Sequence, residues 1–328
     1  NTPGNILDAA GAYLGIYFLV MPFLFMYNIL SSMFNALGDS KTPLMLLIFS
    51  SVMNVILDLW FVISFGMGVS GVAIATVMAQ GIAAVISFAL LMHRLRGFEA
   101  KEKSAVYDVK ILSSMIRIAI PSILQQSIVS IGMLLVQSVV NGFGSSVLAG
   151  YSAGTRIESI CIVPMISMGN AVSTFTAQNM GAGKPERVRE GYRAAYGIVA
   201  GFAVVILLTV SLFGEGIVGA FMDTESGGLA FETGYGYLSF IRFFFICIGL
   251  KAITDGVLRG AGDVVVFTLA NLVNLALRVA GAFLLAPMVG VAAVWYAVPI
   301  GWTVNYLISF VRYLTGQWSR KNLVTSKG

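Results

Sequence analysis

Charged residues and metal-binding side chains are scarce in this chain of 328 residues. Only 11% of the residues are Asp, Glu, Lys or Arg, whereas an ordinary soluble domain has about 25%. The single histidine excludes most zinc and haem sites, and Cys161 and Cys247 lie in apolar stretches, where packing is their expected role. The enzyme patterns HExxH, CxxC and GxSxG do not occur. The composition therefore argues against a soluble protein, and the motifs offer no support for an enzyme.

Hydrophobic residues make up 58% of the chain, and they are grouped in long apolar runs. A run of about 20 residues is enough to cross the roughly 30 Å hydrocarbon core of a bilayer as a helix. Turn residues or charges separate such runs throughout the chain. The pattern predicts an all-α polytopic membrane protein with nine transmembrane helices, at 10–36, 42–66, 69–92, 112–141, 147–178, 190–221, 234–258, 264–287 and 290–315.

The basic residues predict an orientation in the membrane. Most of the 20 Lys and Arg residues fall in alternate loops, on the side that receives the 93–111 loop. The positive-inside rule makes that side cytoplasmic, so the net charge of +5 indicates orientation and no nucleic-acid partner. The amino end is then outside and the carboxy end cytoplasmic. Because the chain starts at Asn1 and the helix count is odd, we expect further helices upstream.

An internal repeat predicts two lobes. Residues 12–39 align without a gap on residues 236–263, and Asn54 and Asp58 then fall on Asn274 and Arg278. Both copies begin on the same side and run in the same order, which makes the repeat parallel. The predicted organisation is a partial amino-terminal lobe, a cytoplasmic linker, a carboxy-terminal lobe and a cytoplasmic tail, at 1–95, 96–111, 112–318 and 319–328.

One carboxylate, Asp58, interrupts the apolar hairpin of residues 54–76. A charge inside the membrane is costly and needs a partner or a function. Asp58 and Thr76 each lie nine residues from Met67 at the turn, so an antiparallel hairpin places both about 13 Å from it. Asn54 lies one helical turn before Asp58, on the same face. The spacing predicts a polar cluster that either binds a small cation or proton, or only holds two helices together.

Candidates in the second lobe are less sharply defined. Gln125 and Gln126 offer hydrogen bonds without charge, and Arg156 and Glu158 lie two residues apart, so they do not share a helix face. We regard these four residues as candidates for a substrate cavity. Gly197 and Gly201 form a GxxxG pattern, which predicts a close helix contact.

Three stretches together identify a family resemblance: YLGIYFLVMPFLFMYNILSSMFNALGDSKTP, the NVILD…GVSGVAIAT hairpin and AVSTFTAQNMGAGKPERV. They resemble the multidrug and toxic compound extrusion (MATE) family over essentially the whole chain. The resemblance implies a twelve-helix fold of two six-helix lobes, related by a pseudo-twofold axis along the membrane normal. This sequence matches the fourth to the twelfth helix, so we expect the first three to be missing from it.

Within that family the pattern is most similar to the DinF-like branch. Its amino-lobe cation site maps onto Tyr13, Asn28, Asn54, Asp58 and Thr76, while its helix-one aspartate has no counterpart here. Where the NorM-like branch has an acidic residue early in its seventh helix, this chain has only the two glutamines. That difference argues against a carboxy-lobe sodium site of the NorM type.

The resemblance implies a secondary active transporter of a bacterial or archaeal plasma membrane. Its expected substrates are organic, often cationic drugs, exported in exchange for H⁺ or Na⁺. We expect no cofactor, no metal beyond Na⁺ at Asp58, no nucleic-acid partner and a monomer in the lipid bilayer. One alternative is a lipid-linked oligosaccharide flippase, which would need a cationic cavity built from Arg156, Arg242, Lys251 and Arg278. Another is a membrane enzyme or a channel, which neither the motifs nor the very apolar spans favour.

Overall fold

The computed structural model describes residues 15–16, 18–97, 108–222 and 227–320. Ten α-helices, α1 to α10, account for most of these residues. In chain order they are Met21–Ala36, Lys41–Leu59, Gly68–Leu95, Val109–Asn141, Ser145–Gly181, Pro185–Ala220, Gly227–Ile241, Phe245–Gly260, Val264–Val289 and Ala292–Leu314.

Three short helical segments complete these elements. A π-helical segment, Trp60–Ser64, extends α2. A 3₁₀ turn, Arg242–Phe244, joins α7 to α8, and another, Gln317–Arg320, follows α10.

Eight helical segments in the described part of the chain are long and apolar enough to cross a membrane, with α7 and α8 forming one of them. They coincide with eight of the nine runs predicted from sequence. The first run, 10–36, contains α1, but its start lies outside the described residues. The predicted class, an all-α polytopic membrane protein, is confirmed.

The chain divides into two compact units, residues 1–106 and 107–328. In the first unit, α3 packs against both α1 and α2. Its packed face carries small residues at four-residue spacing, and Ala75, Ala79, Ala83 and Ser87 are all buried. Small side chains let helix backbones approach closely where lipid supplies no hydrophobic driving force. The exact lobe boundaries stay predictions.

The second unit is built around α5, which packs against α6, α7 and α8. Glycines make these contacts possible. A Cβ at Gly150 would lie 2.1 Å from the Ala230 carbonyl oxygen of α7, and one at Gly256 of α8 would lie 2.4 Å from the Gly169 carbonyl oxygen of α5. No residue with a side chain fits at these positions without moving a backbone.

The GxxxG pattern predicted to pack, Gly197 and Gly201, does not do so. An ideal Cβ at either glycine meets nothing within 4 Å in the described part of the chain. Two other pairs at the same spacing make the close contacts, Gly150 with Gly154 on α5 and Gly256 with Gly260 on α8. The prediction was wrong because spacing alone does not reveal which helix face meets a neighbour.

The two copies of the repeat share the same turn. Gly38 and Gly262 have φ of 80° and 75°, a left-handed conformation that favours glycine. The next residue, Asp39 or Asp263, donates its N–H to a carbonyl five residues earlier, at 2.9 and 2.8 Å. Each aspartate also pairs with an arginine near the end of the second helix that follows it, Arg94 or Arg312. The repeat read from sequence is therefore visible as a repeated structural device.

The Asp39 carboxylate holds the start of α2. It accepts hydrogen bonds from the Thr42 hydroxyl at 2.7 Å and from the N–H groups of Thr42 and Lys41 at 3.1 and 3.2 Å. These bonds, the Thr42 hydroxyl first, keep the pKa of Asp39 below its usual 3.8, and Arg94 adds to the effect. Because the folded pKa is the lower one, the resulting stabilisation is complete above the unfolded value and is lost as the pH falls through the folded value.

We predict that Asp39→Asn lowers the free energy of unfolding by about 1 kcal/mol near neutral pH, the usual value of a helix cap. The difference from wild type should shrink at acid pH, where the wild-type carboxylate is itself protonated. Thermal unfolding of the detergent-solubilised protein at about pH 7 and about pH 3 measures both. An equal difference at the two pH values would contradict the role of the charge.

Candidate functional site

The α2–α3 hairpin of the first unit positions the polar group predicted around Asp58. Its turn uses two glycines in the left-handed conformation, Gly66 and Gly68, with φ of 64° and 53°. Gly71 follows where α3 passes the π-helical segment, and a Cβ there would lie 2.9 Å from Met67 Cβ and 3.1 Å from Phe61 Cβ. The close approach is possible because Gly71 has no side chain, and it fixes the register between α2 and α3.

The structure brings Asn54, Asp58 and Thr76 together in this register. The Asn54 amide nitrogen lies 3.5 Å from Asp58 Oδ1 and 3.5 Å from Thr76 Oγ1, so one NH₂ group spans the two oxygens. Both distances are at the long end for a hydrogen bond. The Thr76 hydroxyl donates to the Val72 carbonyl oxygen at 2.9 Å, which leaves its lone pairs facing the amide.

Asp58 has no basic partner in the described part of the chain. Within the described ranges it forms no ion pair, and Asn54 is its only hydrogen-bond donor. All three side chains are only partly buried. A carboxylate, an amide oxygen and a hydroxyl are hard oxygen ligands, which suit a small cation, and the carboxylate alone can take a proton. A carboxylate locked to Lys or Arg could not exchange an ion, and Asp58 is not locked in this way among the described residues.

A change of helix type follows directly after Asp58. The π-helical segment Trp60–Ser64 begins two residues later, and such bulges are frequent at functional sites. Its aromatic rings cluster with Phe65 at the turn, where Trp60 and Phe61 stack at 5.9 Å and Trp60 meets Phe65 edge-on at 5.7 Å. We infer that the ring cluster braces this end of the hairpin.

Of the two other residues predicted for this site, Asn28 does not join the group in the structure. Asn28 is exposed on α1, and its amide nitrogen donates to the Leu24 carbonyl oxygen of its own helix at 2.8 Å. Tyr13 lies outside the described residues. Their part in ion binding stays a prediction.

Comparison with known proteins identifies the family. The MatE family model matches residues 1–60 and 121–284, which together are more than half of the chain. The chain belongs to the MATE family. Members of this family are transporters and not enzymes, so the expected absence of enzyme activity follows from membership. Ion coupling is typical of the family.

Relatives of this MATE chain carry related names. The probable multidrug resistance protein YpnP of Bacillus subtilis is 32% identical over 328 residues, which cover 99% of this chain and 72% of YpnP. The probable multidrug resistance protein NorM of Thermotoga maritima is 22% identical over 332 residues, which cover 99% of this chain and 71% of NorM.

The solved structures agree in fold. A crystal structure of a variant of the Vibrio cholerae MATE transporter VcmN superposes with a TM-score of 0.87 at 20% identity, covering 98% of this chain and 72% of VcmN. At that identity the likeness shows the fold alone. The helical arrangement described above is thus that of a MATE transporter.

The four candidates of the second unit divide by burial. Gln125 and Glu158 are both 8% exposed, whereas Gln126 and Arg156 are exposed. Arg156 and Glu158 lie on different faces of α5, as their spacing predicts. Glu158 is the one among them with a described side-chain partner, because its Oε2 accepts a 2.5 Å hydrogen bond from the Tyr237 hydroxyl of α7.

A separate buried network explains another pair of charges. Lys251 Nζ donates to Asp255 Oδ2 and to Asn271 Oδ1, each at 3.0 Å. Asn271 returns a bond to Asp255 Oδ2 at 3.2 Å, and the Ser309 hydroxyl donates to Asp255 Oδ1 at 2.6 Å. Buried charges are tolerated when they are paired and hydrogen-bonded in this way. The network joins α8, α9 and α10, which indicates a structural role.

Sequence reasoning missed the neighbours of Glu158. Arg278 of α9 acts electrostatically on Glu158 and on Tyr237. The repeat contained a signal for this, because Arg278 aligns with Asp58 and Tyr237 with Tyr13. The second unit therefore carries a polar group at the position that corresponds to the Asp58 group, with a basic residue in place of the acid.

Proposed function

We propose that this MATE chain belongs to an efflux transporter that exports organic, often cationic compounds in exchange for H⁺ or Na⁺. The Asn54–Asp58–Thr76 group carries the proposal, because it is a carboxylate inside a membrane helix that no described basic residue neutralises. The relatives named as multidrug resistance proteins support the same class of substrate.

Asp58 is the proposed coupling residue. When it holds H⁺ or Na⁺, its charge is neutralised, and when the ion leaves, the free carboxylate attracts a cationic substrate. The Asn54 amide spans Asp58 and Thr76, so it keeps the carboxylate oriented in both states. In the Na⁺-bound state, the Thr76 hydroxyl adds a neutral oxygen for the ion.

The placement of this acid also supports the assignment to the DinF-like branch. In the described part of the second unit, three acids are buried, and each is tied to another group: Asp255 to Lys251, Glu158 to Tyr237 and Asp263 to Arg312. The first unit thus holds the carboxylate best placed for ion exchange in the described part of the chain.

In the proposed orientation the carboxy end is cytoplasmic.

The flippase alternative has less support. It requires several free cations for a pyrophosphate group, and Lys251 is held within its own network. Arg242 lies over the Phe243 ring at 4.9 Å. Of the remaining two, Arg156 is exposed on α5 and Arg278 lies beside Glu158.

Dye efflux from proteoliposomes tests the proposal. The full-length protein should transport a cationic rhodamine ester when a Na⁺ or pH gradient is imposed across the vesicle membrane. The gradient that drives transport identifies the coupling ion. Collapse of that gradient with an ionophore should stop efflux. Transport that is unaffected by both gradients would contradict ion-coupled exchange.

A further inference from the structure

Arg278 is a cation of the second unit without a direct carboxylate partner in the described part of the chain. None of the ion pairs found there includes it, and its Nε is buried without a hydrogen-bond partner. The guanidinium stays charged at any physiological pH and presents donors that match a carboxylate. A charge of this kind within a membrane helix is costly and marks a functional site until a partner is found.

The acid that interacts electrostatically with Arg278 is hydrogen-bonded to another side chain. Glu158 of α5 is 8% exposed, and its Oε2 is taken by the Tyr237 hydroxyl at 2.5 Å. Besides Arg278 and Tyr237, the titratable groups that interact with Glu158 are Tyr151 and Cys161 of its own helix. Arg278 therefore interacts with the charge of Glu158 without a direct hydrogen bond, and its N–H donors remain available to a ligand.

The surroundings hold Arg278 in place. A Cβ at Gly301 of α10 would lie 3.1 Å from Arg278 Cγ and 2.2 Å from Asn274 Oδ1, so the backbone of α10 presses against the arginine stem. Asn274 lies one turn before Arg278, and its Oδ1 is buried without a hydrogen-bond partner. Close packing at Cγ limits the positions that the first part of the Arg278 side chain can take, which lowers the entropy cost of ordering it for a ligand.

Aromatic rings bound the same region. Tyr237 meets Tyr151 edge-on at 5.5 Å and lies 5.9 Å from Trp295 of α10. Tyr151 and Tyr237 are buried, and Trp295 is the partly exposed ring of the three. A flat ring near a cation suits an organic ligand that carries an anionic group. With Glu158 protonated the site has a net charge of one, which a monoanion such as a carboxylate balances and a phosphate dianion does not.

We propose that Arg278 anchors a binding site for the carboxylate of an organic ligand, and that Glu158 controls this site through its protonation. An ionised Glu158 offsets the charge of Arg278 and repels the ligand carboxylate, whereas protonation of Glu158 removes both effects. As a statement about transported substrates, the inference rests on the proposed function. Binding itself does not depend on transport.

A matched pair of dyes tests the site. Rhodamine B carries a free carboxylate, and rhodamine B ethyl ester has the same cationic ring system without it. Equilibrium binding of each dye to the full-length protein in detergent, measured by fluorescence anisotropy, isolates the carboxylate contribution. The wild type should bind rhodamine B more tightly as the pH falls, with little change for the ester.

Arg278→Gln should weaken rhodamine B binding by about 10- to 100-fold, the range of a lost charge-assisted hydrogen bond, and leave the ester nearly unchanged. Arg189→Gln, which removes an exposed arginine paired with Glu186, is the matched control and should bind both dyes as wild type does. Equal losses for both dyes in Arg278→Gln, or no loss for either, would overturn the proposal.

Glu158→Gln gives an independent answer if Arg278→Gln does not fold. It should bind rhodamine B at high pH with the affinity that wild type shows at low pH, and the pH dependence should vanish. Persistence of the pH dependence in Glu158→Gln would refute control by this residue. Binding is measured without a gradient, so the two claims can fail separately. Absence of ion-driven efflux would leave the binding result standing, and absence of carboxylate-dependent binding would leave the efflux proposal standing.

Discussion

Replacing Asp58 by Asn should reduce gradient-driven dye efflux to the level of empty vesicles, while the protein still inserts into the membrane. Asn has nearly the same shape and can keep its contact with Asn54, but it can neither take up a proton nor balance a cation. The exchange cycle requires a group whose charge changes between states. The loss should therefore appear in transport and not in folding.

Efflux of a cationic dye from proteoliposomes, normalised to the amount of inserted protein, measures this effect. Glu186→Gln is the matched control, because it removes an exposed carboxylate paired only with Arg189, and it should transport normally. Asp58→Glu should keep part of the activity, since it retains the titratable group at a displaced position. Normal efflux in Asp58→Asn would remove Asp58 from the coupling mechanism.

The second large effect is expected at Gly256, where α8 crosses α5. Even a methyl group there would lie 2.4 Å from the Gly169 carbonyl oxygen and 3.4 Å from the Ser173 nitrogen, and a backbone cannot yield as a flexible side chain can. Gly256→Ala should lower the free energy of unfolding by about 1–3 kcal/mol, the usual cost of overpacking. Gly256→Leu should prevent the second unit from packing.

Gly197→Ala serves as its control. A Cβ at Gly197 meets nothing within 4 Å among the described residues, and alanine in a helix interior is favoured over glycine by about 0.5–1 kcal/mol. Thermal unfolding in detergent should therefore rank the proteins as Gly197→Ala, wild type, Gly256→Ala, from most to least stable. A Gly256→Ala protein as stable as wild type would refute the α5–α8 contact.

The transmembrane helices were predictable because membrane spanning leaves a simple signal. Each span needs a long apolar run, and every turn needs residues that break it. The hairpin geometry followed from counting residues around Met67, and the structure places Asp58 and Thr76 on either side of the Asn54 amide, as that count predicts. Local spacing was sufficient because both helices belong to one continuous hairpin.

Contacts between helices distant in sequence were harder to predict. The GxxxG pattern occurs at several places in the sequence. Its spacing is the same in Gly197 and Gly201 as in the pairs that pack, so spacing could not show which pair makes a helix contact. Which pair packs depends on the rotation of each helix against its neighbours, and apolar residues occur on every face of these helices. The same uncertainty concerns Asn28, which the family resemblance places in the cation site but which donates within its own helix.

The polar group of the second unit was hidden for a related reason. Glu158, Tyr237 and Arg278 come from three helices far apart in the chain, and no local pattern joins them. The internal repeat pointed to two of them by aligning Tyr237 with Tyr13 and Arg278 with Asp58. Arg278 is basic where the other copy has the acid Asp58. The structure gives a reason to consider this difference, because Arg278 interacts electrostatically with Glu158.

Release of the coupling ion on substrate binding tests the role of Asp58 most directly. The dye ester is added to the full-length protein in weakly buffered solution, and released H⁺ is recorded with a pH indicator, or released Na⁺ with a sodium electrode. Wild type should release one of these ions as the cationic dye binds. Asp58→Asn should bind the dye more weakly and release neither ion, even at dye concentrations that saturate it. Equal release from the two proteins would show that the exchanged ion is held elsewhere.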